Sequence, residues 1–171
     1  MAKIAAIDVG LADTAIVVFE DGRFTDAHTI TTKADGSRPT FPAVFKRGQE
    51  IARRVSRFLA KVPAIKTVAI EGYEDYGGGV HKRARSGALI PNRWTTPAVG
   101  VLIGDQVERD GLSVEWQPPG VVLTAYHEHK ARWRAGAVGL VPGDELLTND
   151  HLRSAACHAL WYHDRHPEET S

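Results

Sequence analysis

Two strand-like stretches, Thr14 to Phe19 and Phe24 to Thr32, face each other across Glu20-Asp21-Gly22-Arg23. Asp-Gly suits a two-residue hairpin connection, because both central turn positions want φ > 0. An earlier apolar run, Ile4 to Val9, closes on Asp8-Val9-Gly10. The opening of the chain is therefore expected to be an antiparallel meander of three strands. That start restricts the fold to those that build outward from such a sheet.

The remainder supplies helices and further strands in alternation. A turn-rich loop spans Lys33 to Pro39, and Pro42 then opens a helix, as proline does well at the first helical position. Val44, Ile51, Val55, Phe58, Leu59 and Val62 recur at helical spacing and mark its buried stripe. Lys46, Arg47, Glu50, Arg53, Arg54, Arg57 and Lys61 form the other face, which reads as solvated surface or as a second nucleic-acid contact. Thr67-Val68-Ala69-Ile70 is a short apolar strand that ends on Glu71, followed by a glycine-rich basic loop. A helix from about Pro97 to Arg109, a strand from Leu112 to Gln117 stopped by Pro118-Pro119, and a helix from about Thr148 to His163 complete the order. Leu152, Ala155, Ala156, Ala159 and Leu160 are its expected inward residues, with Cys157 as a small core residue.

Three strands followed by helix, strand, helix, strand and helix is an α/β order with a mixed sheet. A chain of 171 residues with 43% hydrophobic and 25% charged residues has the composition of an ordinary globular protein. We expect one domain over residues 1–163 and a polar, frayed tail over 164–171. The sequence has no apolar run near the ~20 residues that a membrane span needs, and its opening does not read as a signal peptide. A single cysteine rules out an intramolecular disulfide framework and suits a reducing, cytoplasmic compartment.

Three acids fall at ends of elements: Asp8 near the end of the first strand, Glu71 at the end of the fourth, and Asp150 in the first turn of the last helix. If the first and fourth strands are parallel neighbours, Asp8 and Glu71 lie side by side, and a helix across that edge brings Asp150 to the same point. Clustered carboxylates repel one another, and a divalent cation removes the conflict. Mg²⁺, a hard ion that prefers oxygen and keeps several waters, fits such a cluster, with Mn²⁺ as a substitute. Two such ions ~3.5–4 Å apart activate water and stabilise the leaving oxygen in phosphodiester hydrolysis. Each acid taken alone has a plain structural explanation: a turn, a sheet edge, or a helix dipole.

Ile4-Ala5-Ala6-Ile7-Asp8-Val9-Gly10 and the strand after it resemble the opening of the ribonuclease H-like superfamily. Thr67-Val68-Ala69-Ile70-Glu71, the helix around Val99-Gly100-Val101, Val114-Glu115-Trp116-Gln117-Pro118 and the final Asp150-His151-x-x-Ser154-Ala155-Ala156 resemble the RuvC-type Holliday-junction resolvases, in their small phage-like form. The resemblance runs from about Lys3 to Tyr162. It implies a five-stranded mixed sheet, Mg²⁺-dependent cleavage of branched DNA, a homodimer that cuts two strands symmetrically, and a bacterial or phage-infected host cytoplasm. It also makes Asp8 and Glu71 the first two metal ligands. On the last helix the family pattern wants two acidic or His/Asp positions three residues apart. Starting from Asp150 puts Arg153 at the second position, and starting from His151 puts Ser154 there. Asp150 is taken as a ligand, with His151 as a second metal contact or a proton carrier. Either the cluster has three carboxylates or one metal site is weaker than in relatives. Ribonuclease H proper carries a glutamate on its first helix, but Glu50 sits among arginines and reads as structural.

The 21 basic and 21 acidic residues sum to zero, yet they are segregated. Between Gly77 and Trp94 stand Lys82, Arg83, Arg85 and Arg93 with no acid, a charge pattern suited to a phosphate backbone. Tyr76 and Trp94 are placed to stack on unpaired bases, and Lys130 opens another basic cluster. On a strand, His127 and His129 would share one side, but no third ligand has zinc-like spacing. Besides a junction endonuclease, the sequence admits a ribonuclease H-like module that binds nucleic acid without cleaving it. It also admits a ribonuclease acting on RNA/DNA hybrid. An actin-like ATPase also begins with Asp-x-Gly but needs two such domains.

Overall fold

The computed structural model describes residues 3–32, 40–72, 95–118, 120–121 and 149–168. Five strands, β1 (Lys3–Asp8), β2 (Asp13–Glu20), β3 (Arg23–Thr31), β4 (Ile65–Glu71) and β5 (Ser113–Gln117), form one sheet in the order β3-β2-β1-β4-β5. The first three are antiparallel, while β4 runs parallel to both β1 and β5. Asp21 and Gly22 take φ values of 51° and 76°, the left-handed pair that the Asp-Gly hairpin demanded.

The helices are α1 (Phe41–Leu59), α2 (Thr95–Arg109) and α3 (Asp150–Arg165). Because strand side chains alternate, β1 offers Ile4 and Ala6 to one side and Ala5 and Ile7, with Val9 just after the strand, to the other. The first set packs with Leu152, Ala155, Ala156, Ala159 and Leu160 of α3. The second packs with Val55 and Leu59 of α1 and Val99, Ile103 and Val107 of α2. Covered on both faces, the centre of β2 from Ala15 to Phe19 is buried throughout, and each such large side chain contributes roughly 1.5–3 kcal/mol. Cys157 is buried in the α3 layer. Among the described residues no helix is long and apolar enough to cross a membrane.

Two local expectations shift. The positively charged face of α1 is only partly free: Arg47 donates from Nε to Thr32 Oγ1 at 2.7 Å and from Nη2 to the Thr32 carbonyl at 2.5 Å. Arg54 reaches the Thr31 carbonyl at 3.2 Å, so the two arginines tie α1 to the end of β3. Glu50 is exposed. The last helix runs on to Arg165, into the segment expected as a tail. There the His166 ring stacks on Tyr162 at 4.3 Å, and its Nε2 lies 3.5 Å from Glu115 on β5.

Candidate active site

Asp8 follows Ile4 and Ala6 on the α3 side of β1, and Glu71 follows Ala69 on the same side of β4. The parallel register pairs Ile7 with Ile70, which sets the two carboxylates next to each other at the C-terminal edge of the sheet centre. Asp8 is only 7% exposed. Burial, then the negative charge of Asp8 and a hydrogen bond between the two carboxyl groups, push Glu71 up to about 8. Metal-free, the pair is therefore stable with a proton on it.

Helix α3 supplies the rest. Asn149 caps it, accepting at Oδ1 from the backbone N–H groups of His151 (3.0 Å) and Leu152 (3.1 Å). His151 and Ser154, three residues apart, share one stripe of the helix. The Ser154 hydroxyl donates to Asp8 Oδ1 at 2.8 Å, and His151 Nδ1 sits 2.7 Å from Asp8 Oδ2. When Asp8 is ionised its oxygen can only accept, which puts the proton of that contact on Nδ1 and leaves Nε2 for other work.

The structure thus brings Asp8, Glu71 and His151 together with Ser154, the residue that the His151 register put at the second position. It does not bring Asp150. That side chain is 83% exposed and pairs with Arg153, away from the carboxylate pair. Successive helical residues differ by about 100° in direction, so with His151 turned to Asp8, Asp150 faces solvent in the first turn, where the helix dipole favours an acid anyway. Tyr76, Lys82, Arg83, Arg85, Arg93, Trp94 and Lys130 lie outside the described residues.

Sequence reasoning missed a pair beneath the site. His158, one helical turn beyond Ser154, is fully buried, and its Nδ1 lies 2.9 Å from Gln117 Oε1 at the end of β5. Burial holds His158 down at about 4, against a smaller opposing pull from Asp8. Gln117 also accepts at its backbone carbonyl from Gly72 N–H (2.6 Å), the residue after Glu71. The pair therefore links α3 to the ends of β4 and β5 directly behind the carboxylates. The only advance signal was alternation from Val114, which turns Gln117 to the α3 side. Among the described residues His158 Nε2 and Gln117 Nε2 lack partners. His158→Leu takes from the buried Gln117 side chain its His158 partner and is expected to cost about 1–3 kcal/mol. The His158→Leu/Gln117→Leu double variant should cost less than the two single variants added together, which urea unfolding of all four proteins measures.

Gly10 shapes the exit from β1. A Cβ there would run into the backbone carbonyl of Asp13, while the Thr14 hydroxyl donates to the Gly10 carbonyl at 2.7 Å. Gly10→Ala is expected to destabilise the fold by about 1–3 kcal/mol, because backbone must shift to admit the methyl group. A urea midpoint unchanged from that of the wild type would contradict this.

The donors available to a metal are the two carboxylates, an imidazole and a hydroxyl. Among the described residues no group of three or more His, Cys, Asp or Glu side chains is arranged to hold an ion. The Asp8–Glu71 pair nevertheless fits a hard divalent cation of the Mg²⁺ type, which binds through one or two carboxylates and retains water.

No family model matches the sequence, and no curated protein matches it. Solved structures do. RuvC of Thermus thermophilus in complex with Holliday junction substrate is 17% identical, with 96% of each chain covered and a TM-score of 0.66. The fowlpox virus Holliday junction resolvase is 10% identical over 95% of this chain and 98% of its own, with a TM-score of 0.51. The human cytomegalovirus terminase nuclease domain, Mn-soaked and inhibitor-bound, is 12% identical over 98% of this chain and 86% of its own, with a TM-score of 0.55. With the mixed five-stranded sheet and its flanking helices, the chain has the ribonuclease H-like fold.

Proposed function

We propose that this chain, with its ribonuclease H-like fold, is a metal-dependent endonuclease that cuts branched DNA as a homodimer. The observation that carries the reading is the juxtaposition of Asp8 and Glu71 on adjacent parallel strands, with His151 and Ser154 of α3 held on Asp8. Solved proteins of the same fold that are named as Holliday junction resolvases support the substrate class. Asp8 and Glu71 would hold Mg²⁺, or Mn²⁺ in its place. When bound, such a cation stabilises charge on the phosphodiester and makes water a better nucleophile at neutral pH. Ser154 orients Asp8. His151, half exposed and anchored through Nδ1, accepts or delivers a proton at Nε2. Lys82, Arg83, Arg85, Arg93 and Lys130 would contact phosphates, and Tyr76 and Trp94 would stack on unpaired bases.

The test is cleavage of labelled four-way junction, flap, duplex, single strand and RNA/DNA hybrid, side by side in Mg²⁺. The junction is expected to be nicked in symmetric pairs and faster than the others. Junction binding without cleavage in either Mg²⁺ or Mn²⁺ would leave a nucleic-acid-binding module. Preferential cutting of the hybrid would make the protein a ribonuclease.

A further inference from the structure

Helix α1 turns a row of cations away from the sheet. Its core side carries Val44, Ile51, Val55 and Leu59, all buried. At about 100° per residue, Lys46, Arg53 and Arg57 fall on the opposite side, with Lys61 in the turn that follows. All four are exposed. We infer that this row is a phosphate-binding track for a duplex arm of the DNA, on the face of the sheet opposite Asp8 and Glu71. The inference rests on the nucleic-acid reading above and gives the protein a second contact surface.

Charge carries the argument. The whole chain balances 21 basic against 21 acidic residues, yet Phe41 to Lys61 holds six basic residues and one acid, Glu50. A helix face kept only for solvation gains from opposite charges four residues apart and loses from like ones. Arg53, Arg57 and Lys61 follow one another at that spacing, a repulsion that a polyanion relieves. Among the described residues none of the four cations has a carboxylate within ion-pair distance. Arg53 and Arg57 use only Nε, each on the carbonyl four residues back, at 3.1 and 3.3 Å, so their terminal nitrogens stay uncommitted. Arg47 and Arg54, turned roughly 80–100° from Lys46, are the ones engaged with the end of β3.

The position of the row suits an arm of a branched substrate. β3 runs in the same direction as β1, so its end and the start of α1 lie at the edge that holds Asp8 and Glu71. Thr32 fixes that corner, its hydroxyl donating to the Leu11 carbonyl and accepting from Arg47 Nε. From Lys46 the row leads away from that edge for about 22 Å at 1.5 Å per residue, roughly two-thirds of a ~34 Å duplex turn. Both faces of the sheet share the edge. DNA held at the carboxylates can therefore bend one arm over it and lay that arm along α1.

The test is binding of a long-armed four-way junction over a range of salt, with Ca²⁺ in place of Mg²⁺. Each phosphate contact contributes about 0.9 to the slope of log affinity against log salt. Arg57→Gln is expected to lower the slope by about one, and the Lys46→Gln/Arg53→Gln/Arg57→Gln/Lys61→Gln variant by about three to four. At ~0.1 M salt that fourfold variant should bind at least about tenfold more weakly. Glu50→Lys should steepen the slope by about one and tighten binding, a gain that misfolding cannot produce. Arg53→Lys/Arg57→Lys should keep the wild-type slope, because the contact needs only the charge. Wild-type affinity and slope in the fourfold variant would overturn the inference, as would a Glu50→Lys variant without effect. So would lysine replacements that lose as much as glutamine ones, or a loss seen on single strands but not on duplex or junction. A wild type that binds no DNA overturns both this inference and the nucleic-acid reading. The expected slope changes in a protein that cuts no substrate in Mg²⁺ or Mn²⁺ would sustain the inference while removing the endonuclease reading.

Discussion

Asp8→Asn is expected to lower Mg²⁺-dependent junction cleavage by at least about 10³-fold, while junction binding stays the same or tightens. At 1.36 kcal/mol per decade, that loss corresponds to about 4 kcal/mol of transition-state stabilisation. Asp8 is the hub of the site: it lies against Glu71 and engages both Ser154 and His151. Asparagine keeps the size of the side chain and an oxygen for Ser154, but it removes the charge that a cation needs. It also removes a negative group from the path of a phosphate, so affinity for DNA has no reason to fall. The same substitution gives a signature free of catalysis. Millimolar Mg²⁺ should raise the melting temperature of the wild type, since a ligand that binds only the folded state stabilises it, and should leave that of Asp8→Asn unchanged. A variant that still cleaves at a tenth of the wild-type rate would remove Asp8 from the chemistry.

The second large effect is on stability without metal. Glu71 is raised from 4.5 to about 8 in the folded protein, so between those values the folded state holds a proton that the unfolded state has released. Stability from this source is present at low pH and is lost as pH rises toward 8. His158 has the opposite sign: lowered from 6.5 to about 4, it makes the unfolded state the better proton binder in that window, so stability rises with pH there. The two oppose each other from 4.5 to 6.5, and Glu71 acts alone from 6.5 to 8. Over that upper interval the metal-free wild type should lose about 1–2 kcal/mol, given 1.36 kcal/mol per unit for one proton and partial exposure of the group. Glu71→Gln should abolish the slope, and saturating Mg²⁺ should reverse the loss in wild type alone. Urea unfolding at pH 6.5 and 8, with chelator and with Mg²⁺, reads all of this. A metal-free wild type equally stable at both values would show that the two carboxyl groups do not burden each other.

Much of this arrangement was legible from local chemistry. Asp21-Gly22 announced its turn, because few other residue pairs accept two successive left-handed positions. The short apolar run ending on Glu71 announced a buried strand, and its parallel pairing with β1 put Asp8 and Glu71 together as expected. The last helix was less readable. Asp150 was the obvious acid and sits where helix dipoles favour one, whichever way the helix is turned. The His158–Gln117 pair joins residues 41 positions apart, and neither residue signals the other.

Strand periodicity, turn residues and helix boundaries follow from the sequence, because each depends on a few neighbouring side chains. Sequence alone also identified two carboxylates at strand ends. Which side of α3 meets them is a different kind of question, since one residue of rotation changes the direction of every side chain by about 100°. The tertiary contacts decided it: Ala155, Ala156 and Ala159 pack in the layer that holds Ala6, Ala15 and Ala69. Small residues on both partners let helix and sheet approach closely. That seating places the short Ser154 and His151 on Asp8 and leaves Asp150 in solvent.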